Sequence, residues 1–402
     1  MRRNLLHVFG FGLLGIALAQ SVPVPLSGPQ ALPMEGGAGL TLFAIQGEAG
    51  NNALTLSDLI NALALVQDPH PTDLLLLAGR VPQGQAATTQ AFTGFTVAEV
   101  ILPFGHDPVT GAASFVFGAS YGLVTMANLN IGRDLVTLAQ QGSKAGDVLR
   151  FSDTFGNAAL FDRLALKAAL PLLDGLLELG AEGALLIGRF AVATHFDPNS
   201  QLTYSEQGYN GQVGLSFQRA QEGRGFELGI GLRTRLPTFG ISVSLRGLGS
   251  IAFSRSSVTR LEATAQNDTA YDLIQKLRDS ATTSDGGSFS LPLPRELEVA
   301  GFYPILPEGF EEPVFLTLRS LVSFGGPLAQ GLRLAVGASH RVLPNLPLRA
   351  EVALGGPAGL GLGIGGRIES SGGGLEFLFN QKGGFFFGSK GAEFLLRGGL
   401  TF

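Results

Sequence analysis

Arginine is the residue whose spacing could do the most chemistry in this sequence. Arg333, Arg349 and Arg367 stand in runs where apolar and polar residues alternate one for one, and Arg233, Arg235, Arg246 and Arg319 stand in similar runs. A guanidinium presents a planar fork of donors that suits carboxylate and phosphate, so a row of them on one face would favour anionic solutes or head groups. Glu351 and Glu369 follow two residues after Arg349 and Arg367, in the same register. The same spacing therefore also fits ion pairs between neighbouring strands that close the face rather than open it. Both readings stand at the level of sequence.

Other chemistry is thinly represented. Cysteine is absent, and the few histidines have no motif-linked serine or aspartate, so no catalytic residue is expected and the chain is read as not an enzyme. His106-Asp107 and His195-Phe-Asp197 lack a third and fourth ligand at a diagnostic spacing, so no metal is expected, and no cofactor. Gly361-Leu-Gly-Ile-Gly-Gly366 superficially matches a dinucleotide-binding glycine motif. It ought to open a helix, but alternation runs on through Ile368.

The elements that would position these arginines are strands. Successive strand side chains point to opposite faces, so Leu332, Leu334, Val336 and Ala338 share one face and Arg333, Ala335, Gly337, Ser339 and Arg341 the other. Of the 402 residues 45% are hydrophobic and 15% charged, below the roughly one-quarter charged share of a soluble domain. No apolar run after the N-terminus is long and uncharged enough for a membrane helix; Leu164 to Val192 is broken by Lys167, Pro171, Asp174, Glu178, Glu182 and Arg189. Hydrophobicity spread one residue in two over many short runs is the pattern of a barrel facing lipid. A net charge of -5 leaves no basic footprint for nucleic acid. Phe is 29 against 5 Tyr and 0 Trp, so an interfacial aromatic belt would be built mainly of Phe.

Three regions are expected. Residues 1–19 read as a signal peptide, with Arg2 and Arg3, an apolar stretch and Ala17-Leu-Ala19 before the cleavage site. Residues 20–90 read as a first strand near Gly39 to Gly47, a short helix over Asp58 to Val66 and a segment that plugs the barrel, a periplasmic loop being the alternative. Residues 91–402 read as an all-β, transmembrane, antiparallel up-and-down barrel of about fourteen strands, between about twelve and sixteen. Tyr209 to Arg219 and Gly225 to Arg235 count as two of these strands, and Gly384 to Ser389 as an optional one. Helices are expected at Ile131 to Gln141, with Ile131, Leu135 and Leu138 on one face, and at Asp268 to Ser280, with Tyr271, Ile274 and Leu277 on one face and Asn267 as cap. Both would sit in long loops as lids.

Alternation also assigns faces. An arginine on the lipid face near the midplane costs about 2–4 kcal/mol, so the charged set belongs inside, with Arg233, Arg235, Arg246, Arg319, Arg333, Arg349, Glu351, Arg367 and Glu369 lining the lumen. This gives a polar interior richer in Arg than in Glu. Gly361, Gly363 and Gly365 would remove side chains from the wall, leaving room for a plug or tuning strand curvature. In the run from Ile241 to Ser254, the apolar set continues from Val243 and Leu245 to Ile251 and Phe253 without losing parity, with a bend at Gly247 and Gly249.

The order of features resembles a poorly characterised bacterial outer-membrane barrel family related to the FadL-type long-chain fatty-acid channels and to the shuttle barrels of type IX secretion. It rests on the N-terminal Gly- and Pro-rich segment, Ser114-Phe-Val-Phe-Gly-Ala-Ser-Tyr-Gly-Leu123 followed by Asn128-Leu-Asn130, Leu185-Leu-Ile-Gly-Arg-Phe190 and Val243-Ser-Leu-Arg-Gly-Leu248. The resemblance implies about fourteen strands, an N-terminal plug and passage of hydrophobic molecules through a side opening. The ending that carries Leu400 and Phe402 looks like a barrel-assembly signal.

The expectation is therefore an outer-membrane barrel of a diderm bacterium that passively transports small, amphipathic or hydrophobic solutes through a plugged lumen. The alternative is a non-conducting structural or secretion-accessory barrel. Expected partners are outer-membrane lipid, the barrel-assembly machinery, a small hydrophobic or anionic solute, or an envelope protein.

Overall fold

Period-two sequences pair edge to edge, and here they pair until no edge is left. The computed structural model describes residues 38–53, 55, 79–106, 113–173, 176–234, 239–307, 309, 312–370, 372–385 and 388–402. The expected signal peptide, the helix at 58–66 and most of the plug segment lie outside them. The strands are β1 (Gly39–Asn51), β2 (Ala87–His106), β3 (Ala113–Ile131), β4 (Val148–Arg150), β5 (Phe155–Leu172) and β6 (Leu177–Phe196). They continue as β7 (Gln201–Ser205), β8 (Gly208–Thr234), β9 (Gly240–Asp268), β10 (Thr282–Pro292), β11 (Arg295–Ile305) and β12 (Val314–Phe324). The last five are β13 (Gly331–Leu343), β14 (Leu346–Gly355), β15 (Gly361–Ser370), β16 (Gly373–Lys382) and β17 (Gly391–Thr401). Two helices, α1 (Arg133–Gln141) and α2 (Ala270–Asp279), interrupt the series.

All pairings are antiparallel, and β1 bonds to both β2 and β17, which closes the sheet. β10 and β11 pair in turn with the same strand, β9, and form one wall strand interrupted at Leu293–Pro294, while β4 and β7 pair with each other at one mouth. The result is a closed barrel of fourteen strands. β8 runs unbroken where the sequence suggested two strands, because Arg219-Ala-Gln-Glu-Gly-Arg224 hides a parity switch rather than a turn. The stretch around 384–389 is not a strand in its described residues, and β10 was not anticipated.

One end of the barrel carries the short connections that follow β5, β13 and β15, and the other carries α1, α2, β4 and β7. In bacterial barrels the short turns face the periplasm. The outer face is apolar: Val336, Ile364, Leu185, Ile230 and Leu318 are exposed on it, while Glu178, Arg349, Glu351 and Asn380 are buried on the inner one. Phe104 and Tyr303 stand near the turn end and Phe324, Phe379 and Phe394 near the loop end, so the belt is largely phenylalanine.

Both helices pack into one loop-end cluster with Leu149, Phe151, Leu202, Val213, Ala263 and Ala265. The face that α2 buries is Leu273 and Leu277; Tyr271 and Ile274 are exposed, so the anticipated face is shifted. Thr269, not Asn267, caps the helix, accepting from the Asp272 amide while the Asp272 carboxylate accepts from the Thr269 amide.

The bend in β9 overturns the expected parity. Leu228 and Ile230 of β8 face Leu248 and Leu245, so β9 carries an extra residue between them. Before it, Ile241 and Val243 point to lipid; beyond it, Ile251 and Phe253 are 0% and 1% exposed and point into the barrel. Gly247 makes the switch, with φ +75° and an ideal Cβ that would stand 2.0 Å from the Pro294 carbonyl oxygen. A Gly247→Val substitution is expected to destabilise the barrel by about 3 kcal/mol or more through strain and overlap, read as a lower temperature of heat-induced band shift on semi-native gels.

Candidate functional site

The inner wall is a set of linked ion pairs. Arg163 of β5 bridges Glu182 of β6 and Glu227 of β8, the latter at 2.8 Å. Lys167 lies 2.8 Å from Glu99 of β2, which also receives Arg397 of β17 at 2.9 Å. Nearer the loop end, Glu48 of β1 pairs with Arg333 and, at 2.5 Å, with Lys382, and Glu393 takes Arg319 at 2.8 Å and Lys382 at 3.5 Å. Arg246 pairs with Glu296 at 2.5 Å and Arg233 lies 3.7 Å from Glu178.

The structure thus places Arg233, Arg246, Arg319, Arg333, Arg349, Glu351, Arg367 and Glu369 on the inner face; Arg235 lies outside the described residues. Each described member has a partner of opposite charge. Arg349 and Glu351 pair along their own strand at 2.5 Å, as do Arg367 and Glu369 at 3.6 Å, instead of across the hairpin. Among the described residues the interior is therefore not richer in Arg than in Glu. The sequence reading passed over Glu48, Glu99, Arg163, Lys167, Glu182, Lys382 and Glu393, although every one obeys the same parity as its neighbours and could have been assigned by it.

Gly361, Gly363 and Gly365 also face inward. An ideal Cβ on Gly361 would meet the Lys382 side chain at 2.7 Å, and one on Gly363 would meet Glu351 and Asn380 at 3.0 and 3.1 Å. The described occupants of the space these glycines leave are side chains of flanking strands: Lys382, Glu351 and Asn380 at Gly361 and Gly363, and Leu378 at Gly365. The plug expected against them lies outside the described residues. At the closing seam Leu400 faces outward, and the Phe402 amide donates to the Ala38 carbonyl at 2.9 Å.

Part of the lumen is filled by an apolar cluster. Phe161, Leu186, Ile251, Phe253 and Leu291 meet Leu293 from the β10–β11 break and Leu328 from the β12–β13 loop. The Asn128 side chain on β3 donates to the Pro327 and Ala329 carbonyls at 3.3 and 3.4 Å, so that loop reaches across the barrel.

Between this cluster and the charges lies a cavity of about 120 Å³. Phe92, Val124, Met126, Phe161 and Leu293 give its apolar walls, and Arg163, Glu227, Arg246 and Glu296 its polar floor. It reaches the β2–β3 seam, where Phe95, Tyr121 and Leu123 of the outer face also line it. Two sequence features permit this: Gly94 and Gly122 line the cavity without a side chain, and Val97 is an extra residue in β2, opposite the Gly122–Tyr121 step. Gly118-Ala-Ser120-Tyr-Gly122 has the spacing of a nucleophile elbow, which the sequence reading had taken to be absent. It sits mid-strand, paired on both sides, with Ser120 opposite Glu99 and Ala165, and so lacks the strand-to-helix turn that such an elbow needs.

No family model matches the sequence, and no curated protein matches it. Among solved structures, the Ralstonia pickettii toluene transporter TbuX is similar over 94% of this chain and 92% of its own, at 11% identity and a TM-score of 0.48. A Pseudomonas aeruginosa FadL homologue is similar over 91% and 89%, at 11% identity and a TM-score of 0.44. The translocator domain of the Neisseria meningitidis autotransporter NalP is similar over 93% and 91%, at 10% identity and a TM-score of 0.41.

Proposed function

We propose that this barrel sits in the outer membrane and passes small hydrophobic or amphipathic solutes passively, one at a time, through the cavity beside the β2–β3 seam. The cavity carries this reading. Its volume, about 120 Å³, is close to the roughly 150 Å³ of an engineered apolar cavity that takes up benzene. Its walls are apolar while one side is charged, a combination that suits a solute with an apolar body and at most one polar group. The charges that border it are paired, Arg163 with Glu227 and Arg246 with Glu296, and selectivity for apolar over hydrated solutes follows from the cost of desolvating the latter. The lumenal arginines act here as members of ion pairs that frame the route, and Arg163 and Arg246 are the two that border it.

Purified protein in liposomes is expected to admit a toluene-sized probe while staying silent in single-channel recordings. Gly94→Leu should fill the cavity against the flexible Gln46 side chain and lower probe uptake by about tenfold or more, with the barrel still folded. Uptake unchanged by Gly94→Leu would remove the cavity from the route. A second reading, a sealed structural barrel, draws on the ion-paired interior; it predicts no probe uptake by either protein.

A further inference from the structure

The geometry points to a docking site on the outside of the barrel for a phosphorylated lipid of the outer leaflet. The proposal rests on the membrane-spanning orientation and not on what crosses the lumen.

Buried parity switches at Arg189–Phe190 in β6, at Gln221–Glu222 in β8 and at Ser254–Arg255 in β9. The pairings Phe190–Gln221 and Gln221–Arg255 put these three switches in one row. Inside the row, the Phe253 ring covers Gly188 and Gly223, where an ideal Cβ would stand 2.6 and 2.8 Å from it. Outside it, each strand turns two successive side chains to the outer surface. Arg189, Glu222 and Arg255 project there, flanked on β8 by Arg219 and Arg224, which are both exposed.

Part of this set is anchored. The Arg189 Nε–H donates to Asp162 at 2.5 Å, and the Tyr121 hydroxyl donates to the same carboxylate at 3.0 Å, which anchors one flank of the patch. Arg219 lies 5.3 Å from the centre of the Phe190 ring. Arg255 pairs with Glu222 at 3.5 Å, and Asp285 on β10 is the remaining nearby acid. Arg219 and Arg224 have no acidic partner among the described residues, so the patch keeps an excess of positive charge.

Its height decides the partner. Arg224 lies ten residues above the turn end of β8, about 25 Å along the barrel axis at about 3.3 Å per residue and a tilt of about 40°. That is the top of the apolar belt on the loop-end side. Beneath it Phe226, Leu228 and Ile230 are exposed to acyl chains, and around the rest of this rim the described outward residues include Phe324, Leu332, Leu354 and Phe394. A guanidinium cluster confined to three strands, directly above an apolar strip, is complementary to a lipid that carries phosphate monoesters on its head group and acyl chains below. The lipid of that description in an outer leaflet is the phosphorylated glycolipid.

The test is native mass spectrometry of detergent-purified protein titrated with diphosphorylated lipid A, with its fully dephosphorylated form and with inorganic phosphate. Retention of the diphosphorylated lipid should fall about tenfold in the Arg219→Gln/Arg224→Gln protein, with the heat-induced band shift unchanged as proof of folding. The dephosphorylated lipid should bind weakly to both. Equal retention by native and double-substituted protein would overturn the proposal, as would equal binding of the dephosphorylated lipid. Saturation by inorganic phosphate at the concentrations where the lipid saturates would overturn the lipid as source. If the double variant fails to fold, Arg224→Lys, which keeps the charge and loses the fork, should still show a smaller loss, and no loss would contradict the site.

Discussion

Replacing Glu48 with alanine is expected to cost the barrel about 3–5 kcal/mol, the usual penalty for stripping a buried cation of its partner. Glu48 accepts from Arg333 and from Lys382, whose side chain is 3% exposed, and Lys382 has Glu393 as its other acid at 3.5 Å. Without Glu48, Arg333 of β13 would face Lys382 of β16 across a low-dielectric interior with only half the compensating charge. The measurement is the temperature at which purified protein shifts from the folded to the unfolded gel band. Replacing Arg333 by Met in addition should recover part of the loss, because an apolar side chain removes the uncompensated charge. Unaltered heat stability of the single variant would mean that this wall is wetter than its burial indicates.

The second large effect is expected at Phe253. Truncation to alanine should cost about 3–5 kcal/mol by opening a cavity in the lumenal cluster. Phe226, only one hairpin away but 55% exposed to lipid, should cost far less on the same change. Urea midpoints of the two variants in matched detergent compare them directly. The contrast depends on the reversal at Gly247: had parity run on unbroken, Phe253 would have been a lipid-facing ring like Phe226.

That reversal also marks where the sequence stopped being legible. From Leu332 to the C-terminus the alternation is regular, hairpins are short, and the faces of Arg333, Arg349, Glu351, Arg367 and Glu369 follow from counting by two. The wall from β5 to β9 is harder. An extra residue in a strand flips the faces beyond it, and a bulge leaves little trace in composition beyond a glycine or two adjacent polar residues, as at Gly247, Gln221–Glu222 and Arg189. The helices were visible from their periodicity, but the buried face of α2 was not, because exposed Tyr271 and Ile274 are as apolar as buried Leu273 and Leu277. The ion-pair network was half legible. Parity put charges inside, while their partners, such as Arg319 with Glu393, lie far apart in sequence and meet only once the barrel closes. The cavity at the β2–β3 seam could not be read at all, since it arises from the coincidence of Gly94, Gly122 and the extra residue Val97 on neighbouring strands.

One face of each ribbon meets lipid and the other a packed, charged interior, and the assignment inverts beyond Gly247. Because cysteine is absent, single cysteines can be introduced along β9 and β14, labelled with a fluorophore and quenched by a nitroxide carried on lipid tails. Quenching is expected at positions 241, 243, 252, 348, 350 and 352 and not at 242, 244, 251, 253, 349 and 351. Quenching at 251 and 253 with protection at 252, or equal quenching at adjacent positions of β14, would contradict it.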